Sequence, residues 1–228
     1  MSAQAETYEP DSYAAGDIPV RLAVRGRRCV IIGGGKAGEL KARSLIGAGA
    51  NVVVVSPDAT SEITAWAQDD AVPLTWSSRR FEDGDTVDAF LVVSCTGDAV
   101  VDHRVVAAAH AAGALVAESG GGSGRGDITF SAGAAIGPVL IGVNSTNRFP
   151  SVAAWARDRI SEFVDRELRS VIDAATDLRV ETKTRQASAE AGVTPLDWKS
   201  VLDAGKLVHD RGVSPSEVKE QMRSWLLS

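Results

Sequence analysis

The sequence lacks the features that mark several protein classes. Its net charge is −6, so it has no basic excess with which to neutralise a nucleic acid. No apolar run approaches the roughly 18 residues of a membrane-spanning helix. Only two cysteines occur, Cys29 and Cys95, and their apolar surroundings favour small buried side chains over a disulfide or a metal pair. We therefore expect a cytoplasmic protein that binds neither nucleic acid nor membrane.

The length and composition are those of a globular protein. The chain has 228 residues, of which 44% are hydrophobic and 24% charged. This is enough for one large domain, or for a medium-sized domain with an extension, around a real core. Residues 1–17 are polar and contain no apolar signal core, so we expect a disordered tail there.

A glycine motif follows a short apolar segment and opens a helical pattern. Residues 28–42 read RCVIIGGGKAGELKA, which contains G-x-G-x-x-G. Gly33 permits a tight turn, Gly35 lets a pyrophosphate approach the backbone, and Gly38 lets the helix pack against the strand. The free N–H groups at the helix start favour a phosphate. The motif predicts a dinucleotide site formed by Gly33, Gly35, Lys36, Ala37 and Gly38.

Strand and helix patterns alternate through the first half of the chain. Strands are predicted at 29–32, 51–56, 73–77, 89–94 and 114–117, and helices at 37–48, 61–68 and 100–112. The strands at 51–56 and 89–94 are expected to be buried. Ser61 and Asp98 are candidate caps of the second and third helices. This order predicts an α/β fold, with a Rossmann-like parallel sheet covered by helices on both faces.

The pattern changes in the second half. Two strands are predicted at 127–132 and 139–144, and the chain becomes helical from Ser151 with apolar residues at three-and-four spacing. Two shorter helices start near Thr194 and Ser214. We therefore divide the chain into an NAD-binding domain, residues 18–146, and a helical region, residues 147–228. The apolar stripe of the helical region fits either a dimer interface that closes the substrate cleft or ordinary core.

Two strand ends carry polar residues suited to a dinucleotide. The acid that usually bonds the ribose 2′-hydroxyl is replaced at the end of the second strand by Ser56, Pro57 and Asp58, and Ser56 or Asp58 could make this bond. No arginine follows immediately to meet a 2′-phosphate, which favours NAD over NADP. Thr96 follows another buried strand and is predicted to border the nicotinamide.

Several segments together carry a family resemblance. They include Val30-Ile-Ile-Gly-Gly-Gly, Gly-Ala-x-Val-x-Val-Val-Ser-Pro at 49–57, the Thr96-Gly-Asp98 loop and the helix start at Pro150. Over about residues 18–180 the chain resembles the precorrin-2 dehydrogenase family, also called the siroheme synthase N-terminal module. The resemblance implies that the chain oxidises precorrin-2, a tetrapyrrole, to sirohydrochlorin with NAD, in siroheme biosynthesis. A homodimer is expected from the apolar stripe of the helical region. Some members of the family also insert iron or cobalt.

The chain departs from the family pattern at two places. Bifunctional members carry Asn-Val-x-Asp in the strand after the Thr-x-Asp loop and its helix, whereas this chain reads Ala117-Glu-Ser-Gly120, with Gly120 in place of the Asp. The chain is in this respect similar to the dehydrogenase-only members. The family segment Ser/Thr-Gly-Gly-x-Ser-Pro keeps Ser145 and Pro150 here but loses both glycines at Thr146 and Asn147.

The remaining candidates concern proton transfer and substrate binding. Glu118 is the first candidate for the general base and Asp127 the second, although either could be an ordinary loop carboxylate. A substrate with many carboxylates needs local basic groups, and the candidates for this are Arg125, Arg148 and, less directly, Arg157. Ser145 joins them through the family pattern.

No metal site is expected, because the three histidines lack the spacing of a zinc or iron site. His103 and His110 lie on one helix and are predicted to be surface residues. Two alternative functions remain open at this point. One is a bifunctional dehydrogenase and sirohydrochlorin ferrochelatase, and the other is a catalytically silent NAD-sensing Rossmann module.

Overall fold

The computed structural model describes residues 18–118, 126–145, 149–187 and 197–227. The predicted tail at 1–17 lies outside these residues. Packing divides the chain into two compact units, one ending at Phe130 and the other beginning at Ser131.

The first unit is a five-stranded sheet in which every neighbouring pair is parallel. The strand order is β3-β2-β1-β4-β5. Its strands are β1 (Arg28–Gly34), β2 (Asn51–Ala59), β3 (Leu74–Ser77), β4 (Leu91–Ser94) and β5 (Leu115–Glu118), and its helices are α1 (Lys36–Gly47), α2 (Ser61–Ala67) and α3 (Ala99–Ala111). The predicted Rossmann-like architecture is confirmed.

The sheet is buried on both faces, which explains the unbroken apolar runs in its strands. Ile31, Val54 and Val93 lie in the hydrophobic cluster on one face, whereas Val30 and Val92 lie in the cluster on the other. Successive residues of a strand point to opposite faces, so an uninterrupted run of apolar residues fills both clusters.

The segment that joins β1 to α1 needs glycine at three positions, and one of them is Gly34, where a Cβ would collide with the carbonyl oxygen of Asp58. Gly33 has φ +117°, and a Cβ there would lie 2.5 Å from the carbonyl oxygen of Cys95. A Cβ on Gly38 would collide with the carbonyl oxygen of Gly33. The helix therefore starts directly against the strand end.

The second unit combines a hairpin with helices. The antiparallel hairpin consists of β6 (Ala132–Ile136) and β7 (Val139–Val143). The helices are α4 (Pro150–Phe163), which continues through a π-helical turn at Val164–Leu168 into α5 (Arg169–Ala187), then α6 (Trp198–His209) and α7 (Pro215–Leu227). The core of this unit is formed by Val171, Ala174, Leu178, Val201, Val208, Val218 and Met222.

Three local details differ from the sequence expectations. The first hairpin strand begins at Ala132, because residues 127–130 stay with the first unit, where Ile128 N–H donates to the Val116 carbonyl (3.0 Å). The cap of α2 is Thr60 rather than Ser61, since the Thr60 hydroxyl accepts from the backbone N–H of Ile63. The hairpin belongs to the helical unit, although the sequence placed it with the nucleotide-binding part; the assignment of functions to the two parts stays a prediction.

Candidate functional site

A cavity of about 620 Å³ opens in the first unit at the carboxyl ends of β1, β2 and β4. The chain runs outward from β1 to β2 and β3 on one side, and then to β4 and β5 on the other. Ligands of open parallel sheets bind at the point where the strand order reverses in this way. The cavity is lined by six of the nine residues predicted for the cofactor, namely Gly33, Gly35, Ser56, Pro57, Asp58 and Thr96.

The other three predicted cofactor residues form the start of α1. Gly35 is the N-cap, and the first helical hydrogen bond runs from Glu39 N–H to the Gly35 carbonyl (2.9 Å). The N–H groups of Lys36, Ala37 and Gly38 therefore have no acceptor within the helix. A Cβ at Gly35 would meet nothing within 4 Å, so the space before these donors is open. The turn fits a pyrophosphate.

A buried carboxylate, which the sequence analysis missed, lies in the first turn of α1. Glu39 is 3% exposed and forms ion pairs with Lys36 and with Arg43, the latter at 3.6 Å. Its hydrogen bond with Lys36, supported by the charges of Lys36 and Arg43, lowers the pKa of the Glu39 carboxyl below its usual range. The two cations offset the negative charge of Glu39, so this carboxylate does not face a bound phosphate unpaired.

The ends of β2 and β3 are held together beside the cavity. The indole N–H of Trp76 donates to the Ser56 carbonyl (3.0 Å), and the Ser78 hydroxyl donates to the Pro57 carbonyl (3.0 Å). The backbone that carries the residues predicted for the ribose, at the end of β2, is thus fixed by side chains from β3 and the segment after it. Asp58 is exposed there, so its carboxylate is accessible to a ligand.

The loop after β4 is fixed by Asp102, which the sequence analysis did not identify. Asp102 is 5% exposed, and its Oδ1 accepts hydrogen bonds from the hydroxyl of Ser94 (2.6 Å) and from the N–H (3.1 Å) and hydroxyl (2.8 Å) of Thr96. The side chain of Asp98 caps α3 as predicted, by accepting from Val100 N–H and Val101 N–H. The sequence did contain a hint for Asp102, since it lies one helical turn after the cap Asp98. No local pattern showed, however, whether its side chain lies on the buried or the exposed face of α3.

The two cysteines are free and buried. Burial raises the pKa of the Cys95 thiol to about 12 and that of the Cys29 thiol to about 11. Cys95 donates to the Ile32 carbonyl at 3.4 Å, next to the glycine turn. Both thiols are therefore protonated at neutral pH and act as small apolar groups rather than nucleophiles.

The structure separates the two candidate bases. Glu118 ends β5 in register with Ser94, and its Oε2 is buried without a hydrogen-bond partner among the described residues. Asp127 instead accepts from Val116 N–H (2.9 Å) and lies 3.2 Å from Nε2 of His110. Neither carboxylate lines the cavity, but Glu118 lies at the carboxyl edge of the sheet.

The substrate candidates are only partly visible. The Ser145 hydroxyl accepts from Phe149 N–H (2.7 Å) and so supports the entry into α4. Arg157 pairs with its neighbour Asp158 at 2.7 Å. The candidates Arg125 and Arg148, and the family departures at Gly120, Thr146 and Asn147, lie outside the described residues.

One group of potential metal ligands forms in the second unit within the described part of the chain. One ligand atom from each of Glu167, His209 and Asp210 lies within 4.8 Å of the others. The ammonium of Lys206 pairs with Asp210 and lies 3.9 Å from Glu167, and the hydroxyl of Ser170 lies 2.9 Å from Nδ1 of His209. Arg166 also pairs with Glu167 at 2.7 Å, so two cations balance the two carboxylates and the group forms an ion-pair network.

Further residues, which the sequence analysis missed, line the cavity from the segment after β3 and from α3. These are Arg80, Phe81 and Arg104. The Arg104 guanidinium lies 5.4 Å from the centre of the Phe81 ring and pairs with Asp83 at 2.7 Å. They come from distant parts of the sequence, so no local pattern linked them to the glycine motif.

Within the described helices, none is long and apolar enough to cross a membrane.

Comparisons with known proteins bear on the fold and the cofactor. Residues 20–132 match a family model described as putative NAD(P)-binding. Siroheme synthase 1 of Aeromonas salmonicida is 27% identical over 190 residues, which cover 83% of this chain and 40% of the relative. Siroheme synthase 2 of Klebsiella pneumoniae is 26% identical over 209 residues, covering 90% of this chain and 45% of the relative. The chain thus spans less than half the length of these curated relatives.

A solved structure shares the fold. SirC, a precorrin-2 dehydrogenase, superposes with a TM-score of 0.69 at 18% identity, and the match covers 91% of this chain and 100% of that chain. Together with the family model, these similarities confirm the predicted family resemblance and the predicted NAD cofactor. The residues that hold the cofactor stay a prediction.

Proposed function

We propose that this chain belongs to the precorrin-2 dehydrogenase family and oxidises precorrin-2 to sirohydrochlorin with NAD as the hydride acceptor in siroheme biosynthesis. The observation that carries this proposal is the cavity at the switch point of the sheet, where the glycine turn and Thr96 face one space. The names of the relatives supply the substrate, and the cavity supplies the cofactor site.

The oxidation removes two hydrogens from precorrin-2, one as a hydride with two electrons and the other as a proton. NAD, when bound, supplies the hydride acceptor. The start of α1 and Gly35 hold the pyrophosphate, while Ser56 and Asp58 bond the ribose. Thr96, held by Asp102, borders the nicotinamide.

Glu118 accepts the proton. Its buried Oε2 has no hydrogen-bond partner in the described part of the chain, and a buried acceptor left in this way costs free energy unless a ligand or a proton uses it. Asp127 is the second candidate, but its carboxylate is already engaged with Val116 and His110. Ser145, Arg125 and Arg148 bind the carboxylates of the tetrapyrrole.

The protein acts as a cytoplasmic homodimer. Large apolar side chains of α4 and β7 are exposed, with 66% of Trp155 and 61% of Leu140 accessible, together with Val152 and Phe163. Exposed apolar side chains such as these support an interaction surface on this unit. Trp155→Glu should therefore convert a dimer into a monomer in sedimentation velocity, whereas Glu162→Gln on the same helix should not. A monomeric parent protein would refute the dimer.

The test of the activity is an anaerobic incubation of purified protein with precorrin-2 and NAD, followed by absorbance. Growth of the sirohydrochlorin spectrum only when protein and NAD are both present supports the dehydrogenase. Tight NAD binding without turnover would replace it with the NAD-sensing module. Insertion of iron or cobalt into sirohydrochlorin by the same preparation would instead make the protein bifunctional.

A further inference from the structure

The cavity contains an arginine that pairs with no carboxylate of the described residues. Arg80 follows β3 and lines the cavity. Its neighbour Arg79 is occupied by a two-pronged contact with Asp85, at 2.6 and 2.9 Å, and Arg104 is occupied by Asp83. The Arg80 guanidinium is therefore the cation of the cavity that is left to meet an anion.

The backbone around Arg80 is held in place from both sides. The Arg79 guanidinium also donates to the Arg80 carbonyl (3.1 Å). The ion pair between Arg79 and Asp85 therefore anchors both Arg79 and the backbone of Arg80. The next residue, Phe81, is 8% exposed and packs in the hydrophobic cluster of the sheet. A charged group on an anchored backbone binds its ligand with a smaller loss of conformational freedom.

Arg80 also lies on the side of the cavity that faces the adenosine ribose. Val55 of β2 is in register with Ser77 of β3, and the Ser78 hydroxyl bonds the Pro57 carbonyl, so the segment after β3 runs beside the end of β2. In Rossmann-type sites the end of the second strand meets the ribose, and an arginine near it accommodates a 2′-phosphate.

From this placement we infer that Arg80 binds the 2′-phosphate of NADP, so that the site accepts NADP as well as NAD. The inference rests on the proposed function, because it concerns the same cofactor site. The sequence favoured NAD because no arginine directly follows β2, but the structure supplies the arginine from the neighbouring strand. The described lining carries one carboxylate, Asp58, and the charge of Arg104 is balanced by Asp83, so Arg80 is the guanidinium that remains for an added phosphate.

The experiment measures dissociation constants by calorimetry for NAD, NADP, AMP and adenosine 2′,5′-bisphosphate. In the parent protein we expect NADP to bind within about tenfold of NAD. Arg80→Ala should weaken NADP and the bisphosphate by about tenfold or more, as for the loss of a charge-assisted hydrogen bond, while NAD and AMP change by less than about threefold. Arg80→Lys should keep part of the affinity for the 2′-phosphate compounds. Arg211 is an exposed arginine of the second unit, and Arg211→Ala should change none of the four dissociation constants.

Two results would overturn the inference. One is a parent protein that binds NADP about a hundredfold or more weakly than NAD. The other is an Arg80→Ala protein that is folded and loses affinity equally for all four compounds. If Arg80→Ala does not fold, two other measurements decide the inference. They are the NADP affinity of Arg80→Lys, and the ratio of the dissociation constants of adenosine 2′,5′-bisphosphate and AMP for the parent protein. NAD binding alone leaves the proposed function standing, whereas failure to bind any of the four removes both.

Discussion

Thr96 and Asp102 are joined by two hydrogen bonds to one atom, since the N–H (3.1 Å) and the hydroxyl (2.8 Å) of Thr96 both donate to Oδ1 of Asp102. The same oxygen accepts from Ser94, the last residue of β4. One buried carboxylate on α3 thus fixes the loop that borders the cavity, and the conformation of this loop depends on it.

Replacing Asp102 should therefore damage both stability and cofactor binding. Asp102→Ala leaves three donors without their acceptor, and we expect it to lower the free energy of unfolding by about 2–4 kcal/mol. It should also weaken NAD binding by about tenfold, because Thr96 is no longer held. Urea denaturation and calorimetry measure the two effects.

The control for this change is Asp197→Ala, which removes the cap of α6 in the second unit. It should cost about 1 kcal/mol and leave NAD binding unchanged. Normal NAD binding by a folded Asp102→Ala protein would show that the loop does not depend on this carboxylate.

The glycine motif allows folding and binding to be separated. Gly35→Val should leave the fold intact, since a Cβ there meets nothing within 4 Å, but should abolish measurable NAD binding by filling the space before the helix start. Gly38→Ala should instead destabilise the protein by about 1–3 kcal/mol, because its Cβ collides with the Gly33 carbonyl.

Thermal melting and NAD titration of both variants check these expectations. Gly47→Ala, which also meets open space but lies away from the cavity on α1, should be neutral or slightly stabilising and bind NAD normally. If Gly35→Val bound NAD like the parent protein, the pyrophosphate would not lie at this turn.

The features that local sequence patterns could predict are those formed by neighbouring residues. The apolar runs of the strands and the glycine turn belong to this class, and so does the Asp98 cap. Asp102 and Arg80 do not, because Asp102 meets the loop after β4, and Arg80 the cavity, only through the packing of a helix or a neighbouring strand. The misplaced cap of α2 shows the limit even locally, since Thr60 and Ser61 are adjacent hydroxyl residues with equal capping chemistry.

The buried thiols should make the protein less stable in alkali. The pKa of Cys95 rises from 9.0 to about 12, and that of Cys29 from 9.0 to about 11. Thiols of the unfolded chain lose their protons above about pH 9 while the buried thiols keep theirs, so the stabilisation is complete below this pH and is lost as the pH rises towards 12.

Urea denaturation across this pH range measures the slope for the parent protein and for Cys95→Ala. The slope should be shallower in Cys95→Ala, although this variant loses some packing at every pH. Neither thiol of the native protein should react with iodoacetamide at neutral pH, as followed by mass spectrometry. Rapid labelling of the folded protein would contradict the burial of these side chains.

Glu118 is the last residue of β5, and Asp127 bonds the backbone of Val116, two residues earlier in the same strand. We nevertheless expect substitution of Glu118 to affect turnover and substitution of Asp127 to affect stability. Glu118→Gln removes the proton acceptor but keeps the shape, so we expect turnover of precorrin-2 to fall by about 10²–10⁴-fold with NAD affinity and stability unchanged. Asp127→Asn weakens the contacts with Val116 and His110 and should cost about 1 kcal/mol of stability while turnover is retained. Single-turnover rates, NAD calorimetry and melting curves of the two variants give the comparison. Full activity of Glu118→Gln together with loss of activity in a stable Asp127→Asn protein would transfer the role of base to Asp127.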